Sequence, residues 1–405
     1  MTSEEKNANT TYQELLKNKD FSLYILAKIS TVFGTGLSGM GFILLAFGEM
    51  GSIMNVGIYR IATIIPTLTL GLIIGVYLDR WGKKRSYIIT SFLKALIILI
   101  PIFYRDIVTI VAVVLVLTSL SIFRESAHQS ILPLILDKEE LRTGNSAMRI
   151  VRTGAGMLAP TLAIFMINWY GFWLLFVIDA FTYLLDLSFI YFIPIEEKKS
   201  KQEEKGPMGV LVDIKASLQH VKDRPTVGLV LGFGTLMILA VDGFPLFALE
   251  SSHIFFGSEL PFGYYRSSIF VGAFLGGLLT GKYLQNIGYK YMIFLAFFLK
   301  ALSFLGLALF MFVPSFVIFG VMFGIGSSII GIGVDTCIQS FCDEEYMGRI
   351  SSLELVLFRG GSLIAVIIAV ILINRIGPIS SMLFIGTLIG LLSFAILPIH
   401  DWIKD

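Results

Sequence analysis

Phe92-Leu-Lys94-Ala-Leu96 recurs as Phe298-Leu-Lys300-Ala-Leu302. Each copy lies in a strongly apolar run and places one lysine in its middle. The surrounding residues keep the same offset of 206: Gly57, Tyr59 and Arg60 match Gly263, Tyr265 and Arg266. Gly75, Tyr77, Leu78, Gly82 and Lys84 match Gly281, Tyr283, Leu284, Gly288 and Lys290. Farther on, Arg152 and Gly154 match Arg359 and Gly361 at an offset of 207. One register held across three apolar runs marks an internal duplication, two halves in the same orientation.

The solvent of those halves follows from composition. Of 405 residues, 56% are hydrophobic and 15% charged, against about 25% charged in soluble domains. Mean hydropathy is +0.82. The chain reads as a polytopic membrane protein. A formal net charge of +2 gives no basic surface for nucleic acid. Cys337 and Cys342 are too few for a disulfide framework and read as inert thiols.

A helical span needs roughly 20 apolar residues. About twelve such segments are expected, near 21–46, 55–78, 86–104, 107–133, 143–168, 171–193, 225–249, 260–284, 289–312, 314–341, 350–374 and 376–398. The predicted organisation is a cytoplasmic segment 1–20, a six-helix half 21–193, a linker 194–224, a second half 225–398 and a tail 399–405. In the linker, Leu211, Ile214, Leu218 and Val221 share one helical face, the pattern of a helix on the membrane surface. Twenty lysines and arginines fall on one side of this topology and three on the other. Basic residues favour the cytoplasm, so both termini are expected inside the cell membrane. Parallel halves are a transporter arrangement, with a substrate site expected between them near mid-membrane.

Between the second and third spans stands Gly75-Val-Tyr-Leu-Asp79-Arg80-Trp-Gly82-Lys83-Lys84-Arg85. It resembles the signature loop of the major facilitator superfamily. The second copy has Gln285 and Asn286 in place of Asp79 and Arg80. The loop around Asp137 to Asn145, Phe176-Val-Ile-Asp179, Phe244-Pro245-Leu-Phe and Glu345-Tyr-Met-Gly348-Arg349 resemble macrolide-efflux-like members of the drug:proton antiporter group. Two places depart from it. Ala155, Ala159-Pro160 and Ala163 stand where the antiporter signature has glycines, and Arg124 lies nearer the cytoplasm than the signature arginine of span four. The resemblance implies an all-α major facilitator fold of twelve transmembrane helices. It implies proton-coupled efflux of an amphipathic small molecule by a monomer. It also implies that Asp79 meets the start of span eleven, near Met347–Ser351, when the protein faces outward. Arg80, Arg85 and Arg349 would stand beside that contact, latching the inner side.

A charge deep in the membrane is expected to be paired or to face water. Counting about 1.5 Å per residue, Lys94 and Glu125 fall at one depth, as do Lys300 and Asp335. Lys94–Glu125 and Lys300–Asp335 are the expected pairs, with Asp186 a rival partner for Lys94. Bracing within each half is favoured over proton handling. Candidates for coupling are Asp242, set in Val241-Asp-Gly-Phe-Pro245 where a helix can break, the matched Arg60 and Arg266, and Asp179 and Asp186 on one face of span six. Asp242 is the first choice, since a buried carboxylate can load and release a proton. Gly34, Gly36, Gly39 and Gly41 allow close packing or sliding of span one. Neither a nucleotide-binding loop nor a metal-spaced His/Cys set stands out, so no cofactor, metal or enzymatic activity is expected. The alternatives are export of one specific metabolite, such as a siderophore or peptide, and a non-transporting receptor or scaffold.

Overall fold

The computed structural model describes residues 12–49, 52–70, 82–137, 140–194, 225–284, 287–341 and 344–396. The elements among them are all helical. The long ones are α1 (Lys19–Leu44), α2 (Ile53–Leu70), α3 (Lys83–Ile97), α4 (Ile107–Ile135), α5 (Leu141–Tyr170) and α6 (Trp173–Tyr191). After the linker come α7 (Pro225–Val241), α8 (Phe244–Phe256), α9 (Leu260–Tyr283), α10 (Tyr289–Leu309), α11 (Val313–Phe341) and α12 (Glu344–Ile396).

Local chemistry sets several ends. Asn18 accepts hydrogen bonds from the amides of Asp20 and Phe21 at 3.0 and 3.3 Å and so starts α1. Asp106 does the same for α4 through Thr109 N at 2.9 Å. Lys84 Nζ donates to the carbonyls of Tyr191 and Ile193 at 2.8 and 2.6 Å. That satisfies the last turn of α6, so this lysine of the basic run closes a helix end. Gly377, with φ of 79°, breaks α12 into two helices just before Pro378.

Among the described residues, ten segments are long and apolar enough to cross a membrane. One of them, Leu353–Ile396, holds both arms of the Gly377 break, and the ten do not include the 24-residue α9. α7 and α8 together make one of the ten, Val227–Phe256, interrupted at Asp242-Gly243. The expected twelve crossings are accounted for in this way.

The chain forms two compact units. One holds the described residues up to 49 and from 65 to 194. The other holds 52–64 and the described residues from 225 onward. The boundary differs from the expected halves, because the first two-thirds of α2 groups with the second unit. Gly57 helps to explain this: a Cβ there would lie 2.6 Å from Val370 Cγ2, so glycine brings α2 close to α12 and a larger residue would have to displace Val370.

In the first unit α1 packs on α5 and α6, and α3 on α4 and α6. Gly34, Gly36 and Gly41 make the first of these contacts close, with Cβ positions at 3.0 Å or less from Thr182, Ala159 and Leu175. Gly39 has nothing within 4 Å. In the second unit α9 and α11 cross with their backbones touching. A Cβ on Gly272 would lie 2.0 Å from Val321 O, and one on Gly324 2.0 Å from Ile269 O. Gly272 and Gly276 on α9 face Gly320 and Gly324 on α11, a reciprocal small-residue crossing.

Candidate functional site

The lysines of the two repeats have different surroundings. In the first unit, Lys94 is 3% exposed. Its Nζ donates to Ser121 Oγ at 2.6 Å and sits 4.5 Å from the centroid of the Tyr183 ring. The expected pair with Glu125 does not form. Glu125 is taken by Lys28 of α1, whose Nζ lies 3.0 and 2.8 Å from its two carboxylate oxygens. Lys28 is nearly buried while the Glu125 side chain is 44% exposed. Asp186, the rival, is held by Arg124 at 3.1 Å, by Tyr87 at 2.5 Å and by Ser91 at 3.1 Å. Arg124 Nη1 also donates to the Tyr87 hydroxyl at 2.8 Å.

Asp179 belongs to the same buried system. It accepts hydrogen bonds from Ser38 and Thr182. Asp179, Asp186 and Glu125 all lie within electrostatic range of Lys94, which gives it counter-charges without direct contact. The polar side chains of α1, α3, α4 and α6 thus form one internal network. Asp179 and Asp186 are fully buried within it. A buried charge removed from such a system leaves its partner uncompensated, so the arrangement fits bracing of the first unit.

Lys300 is different. Its Nζ stacks 4.6 Å from the Phe323 ring centroid, and the carboxylate that acts on it electrostatically is Asp242. No direct ion pair joins it to Asp335 among the described contacts. The reason is distance along α11. Phe323, level with Lys300, is twelve residues from Asp335, about 18 Å of helix.

Both side chains instead line a cavity of about 320 Å³ that lies within the second unit. Its charged walls are Arg60, Asp242, Arg266, Lys300, Asp335 and Glu354. The coupling candidates Asp242, Arg60 and Arg266 therefore meet in one place. Asp242 sits where α7 stops and α8 starts, as the Gly243-Phe-Pro245 sequence foretells. Pro245 brings no amide hydrogen to the turn, and Gly243 allows contact with α12, where a Cβ would lie 2.6 Å from Ala369 Cβ. Ser362 of α12 donates to the Asp242 carboxylate. Arg266 feels Arg60 as a like charge and Asp242 as an opposite one. Arg266 Nε is buried without a partner among the described residues. Sequence reasoning missed Glu354, although it is an acidic residue ten positions into an apolar helix.

The loop expected to gate the protein is only partly visible. Gly75, Asp79 and Arg80 lie outside the described residues, as does the surface helix of the linker. Gly82 begins α3 with φ of 82°, and Arg85 is exposed. Arg349 falls in the first turns of α12, which begins at Glu344, earlier than expected; its side chain is outside the description.

Comparison with known proteins agrees with this architecture. The sequence profile of the Major Facilitator Superfamily matches residues 23–365. Macrolide efflux protein A of Streptococcus pyogenes is 23% identical over 354 residues, covering 84% of this chain and 86% of that protein. Among solved structures, nucleoside transporter NupG aligns with a TM-score of 0.76 at 15% identity, over 95% of this chain and 99% of that one. A bacterial homologue of the iron transporter ferroportin, in an inward-facing state, gives 0.70 at 13% identity, over 96% and 99%. The fold is thus a multi-pass membrane transporter fold, not an enzyme. The chain belongs to the Major Facilitator Superfamily.

Proposed function

We propose that this chain exports an amphipathic small molecule from the cytoplasm by alternating access, with protons as the coupling ion. The supporting observation is the cavity of the second unit, which sets Met237, Phe323 and Phe358 beside six ionisable side chains. Apolar walls hold the body of a small molecule, and a few placed polar groups orient it. Similarity to macrolide efflux protein A supports the outward direction. Asp242 is the proposed proton carrier. It stands at a helix break, is hydrogen-bonded by Ser362, and feels Arg266 and Lys300. Export against inward proton flow needs proton and substrate to occupy the site in turn, so protonation of Asp242 would accompany substrate release. Asp79, with Arg80, Arg85 and Arg349, remains the proposed inner latch, in a monomer with both termini cytoplasmic.

Inside-out vesicles containing the protein test this reading. Energised vesicles should accumulate lipophilic test compounds, and collapse of the pH gradient with nigericin should release them. Accumulation unaffected by nigericin would overturn proton drive. Export of one specific metabolite is the second reading, and the density of charge in the cavity favours it.

A further inference from the structure

The two carboxylates of α6 are equally buried, both at 0% exposure, but they are held differently. Asp186 touches a cation, Arg124 at 3.1 Å, and accepts from Tyr87 and Ser91 as well. Asp179 accepts from two neutral hydroxyls, Ser38 and Thr182, and has no ion pair among the described residues. The Thr182 bond is a shared one: its hydroxyl lies 2.8 Å from the Asp179 carbonyl and 3.3 Å from the carboxylate. The other charges of the network pair off, Lys28 with Glu125 and Arg124 with Asp186. Lys94 and Asp179 are left over. Lys94 contacts Ser121 and the Tyr183 ring, and Asp179 acts on it only across space. Nothing else near Asp179 offers it a cation. His128 of α4 is bonded to Tyr24 of α1. α5 meets this part of α1 through Ala159, and its Arg152 lies toward the Lys28–Glu125 pair.

We propose that Asp179 is a proton-binding site of the first unit, separate from Asp242, with Lys94 as its counter-charge. An ionised carboxylate in a dry site needs a cation or several donors, and the neutral acid does not. Asp186 has them and Asp179 does not. The surroundings of Asp179 accommodate both forms. When it is ionised, Ser38 Oγ donates to Oδ2. When a proton sits on Oδ2, that O–H donates to Ser38 Oγ, whose own hydrogen turns to the carbonyl of Thr35, 3.4 Å away. A hydroxyl pair leads toward the site from outside. Thr35 is exposed, and its hydroxyl is bonded at 3.0 Å to that of Tyr183, one helical turn from Asp179 and beneath Lys94. Gly34 lets α1 close over the carboxylate, since a Cβ there would lie 2.7 Å from Asp179 Oδ1. Such a site adds a second proton to the export reading and stands without it.

Infrared difference spectroscopy of the full chain in nanodiscs tests it without transport. Spectra are compared between about pH 6 and pH 9, above the range in which solvated carboxyls titrate. The parent should show the carbonyl stretch of a protonated carboxylic acid that fades as pH rises. Asp179→Asn should lose one component of that band, and Asp242→Asn should retain it. Two further variants keep the carboxyl in place. Ser38→Ala removes one of its hydrogen-bond partners and should move the component in frequency. Lys94→Gln removes the counter-charge and should let the component persist to a pH higher by about one unit or more. The same titrating bands in the parent and in Asp179→Asn would overturn the proposal. So would a component that neither Ser38→Ala nor Lys94→Gln moves. A titrating Asp179 in a protein whose vesicles accumulate no test compound would instead sink the export reading and leave the proton site in place.

Discussion

Lys28, on α1, holds Glu125 of α4 through both carboxylate oxygens, and Lys94 does not. The lysine is almost buried and the glutamate is half exposed. Their removal is therefore not symmetric. Glu125→Ala leaves an ammonium in a dry site, whereas Lys28→Met leaves a carboxylate that water still reaches. Glu125→Ala should cost about 2 kcal/mol, well under the range for a fully enclosed pair because one partner is exposed. Lys28→Met should cost less, and the double variant less than Glu125→Ala alone. Thermal melting in detergent checks the order. Lys94→Met combined with Glu125→Gln should be close to additive, since those side chains do not touch.

Arg124, Tyr87 and Asp186 make a closed triangle of hydrogen bonds. Arg124 also lies over the rings of Tyr87 and Tyr183, at 5.4 and 5.6 Å. Tyr87→Phe keeps the ring beneath the guanidinium and removes only the hydroxyl. It should cost about 1–3 kcal/mol, the penalty for unsatisfied buried partners. Asp186→Ala should be far worse and should be partly rescued by Arg124→Met in the same chain. Melting curves of the three variants and the double variant decide this. Failure of the second substitution to rescue would mean that the triangle is not one unit.

The repeat was legible because it rests on spacing, and spacing is what a sequence carries. Lys94 and Lys300 fall in different units, and both are held over aromatic rings at nearly the same distance. Their carboxylate partners were not legible. Depth along one helix says nothing about which neighbouring helix supplies the partner, and Lys28 reached Glu125 from α1. The break at Asp242-Gly243 was readable, since glycine and proline act locally. The meeting of Arg60 with Asp242 and Glu354 was not, because it depends on which helices α2 packs against. The crossing at Gly272, Gly276, Gly320 and Gly324 leaves a trace in the sequence, two pairs of glycines four residues apart, but spacing alone does not tell which glycines meet.

That crossing leaves no room for a methyl group. An alanine Cβ at Gly272 or Gly324 would sit 2.0 Å from a backbone carbonyl oxygen, which cannot swing aside as a side chain can. Gly272→Ala and Gly324→Ala should each force α9 and α11 apart, costing about 1–3 kcal/mol as an overpacked contact does. Gly360→Ala, on α12 with nothing within 4 Å, is the matched control and should melt like the parent. Equal melting temperatures for Gly272→Ala and Gly360→Ala would show that the crossing yields more easily than its geometry implies.

Asp242 carries the heaviest prediction. An asparagine there keeps an acceptor for Ser362 and nearly the same volume, so the turn between α7 and α8 should hold. It removes the one negative charge that acts on both Arg266 and Lys300. Loss of a charge from such an intramembrane cluster should lower gradient-driven efflux by more than about tenfold. Exchange of substrate across vesicles at equal pH needs no net proton movement and should persist. Ser362→Ala should weaken coupling less, because the carboxylate remains. Efflux by Asp242→Asn that still tracks the pH gradient would place the proton elsewhere. Loss of both efflux and exchange, with melting unchanged, would make Asp242 a substrate contact instead of a proton carrier.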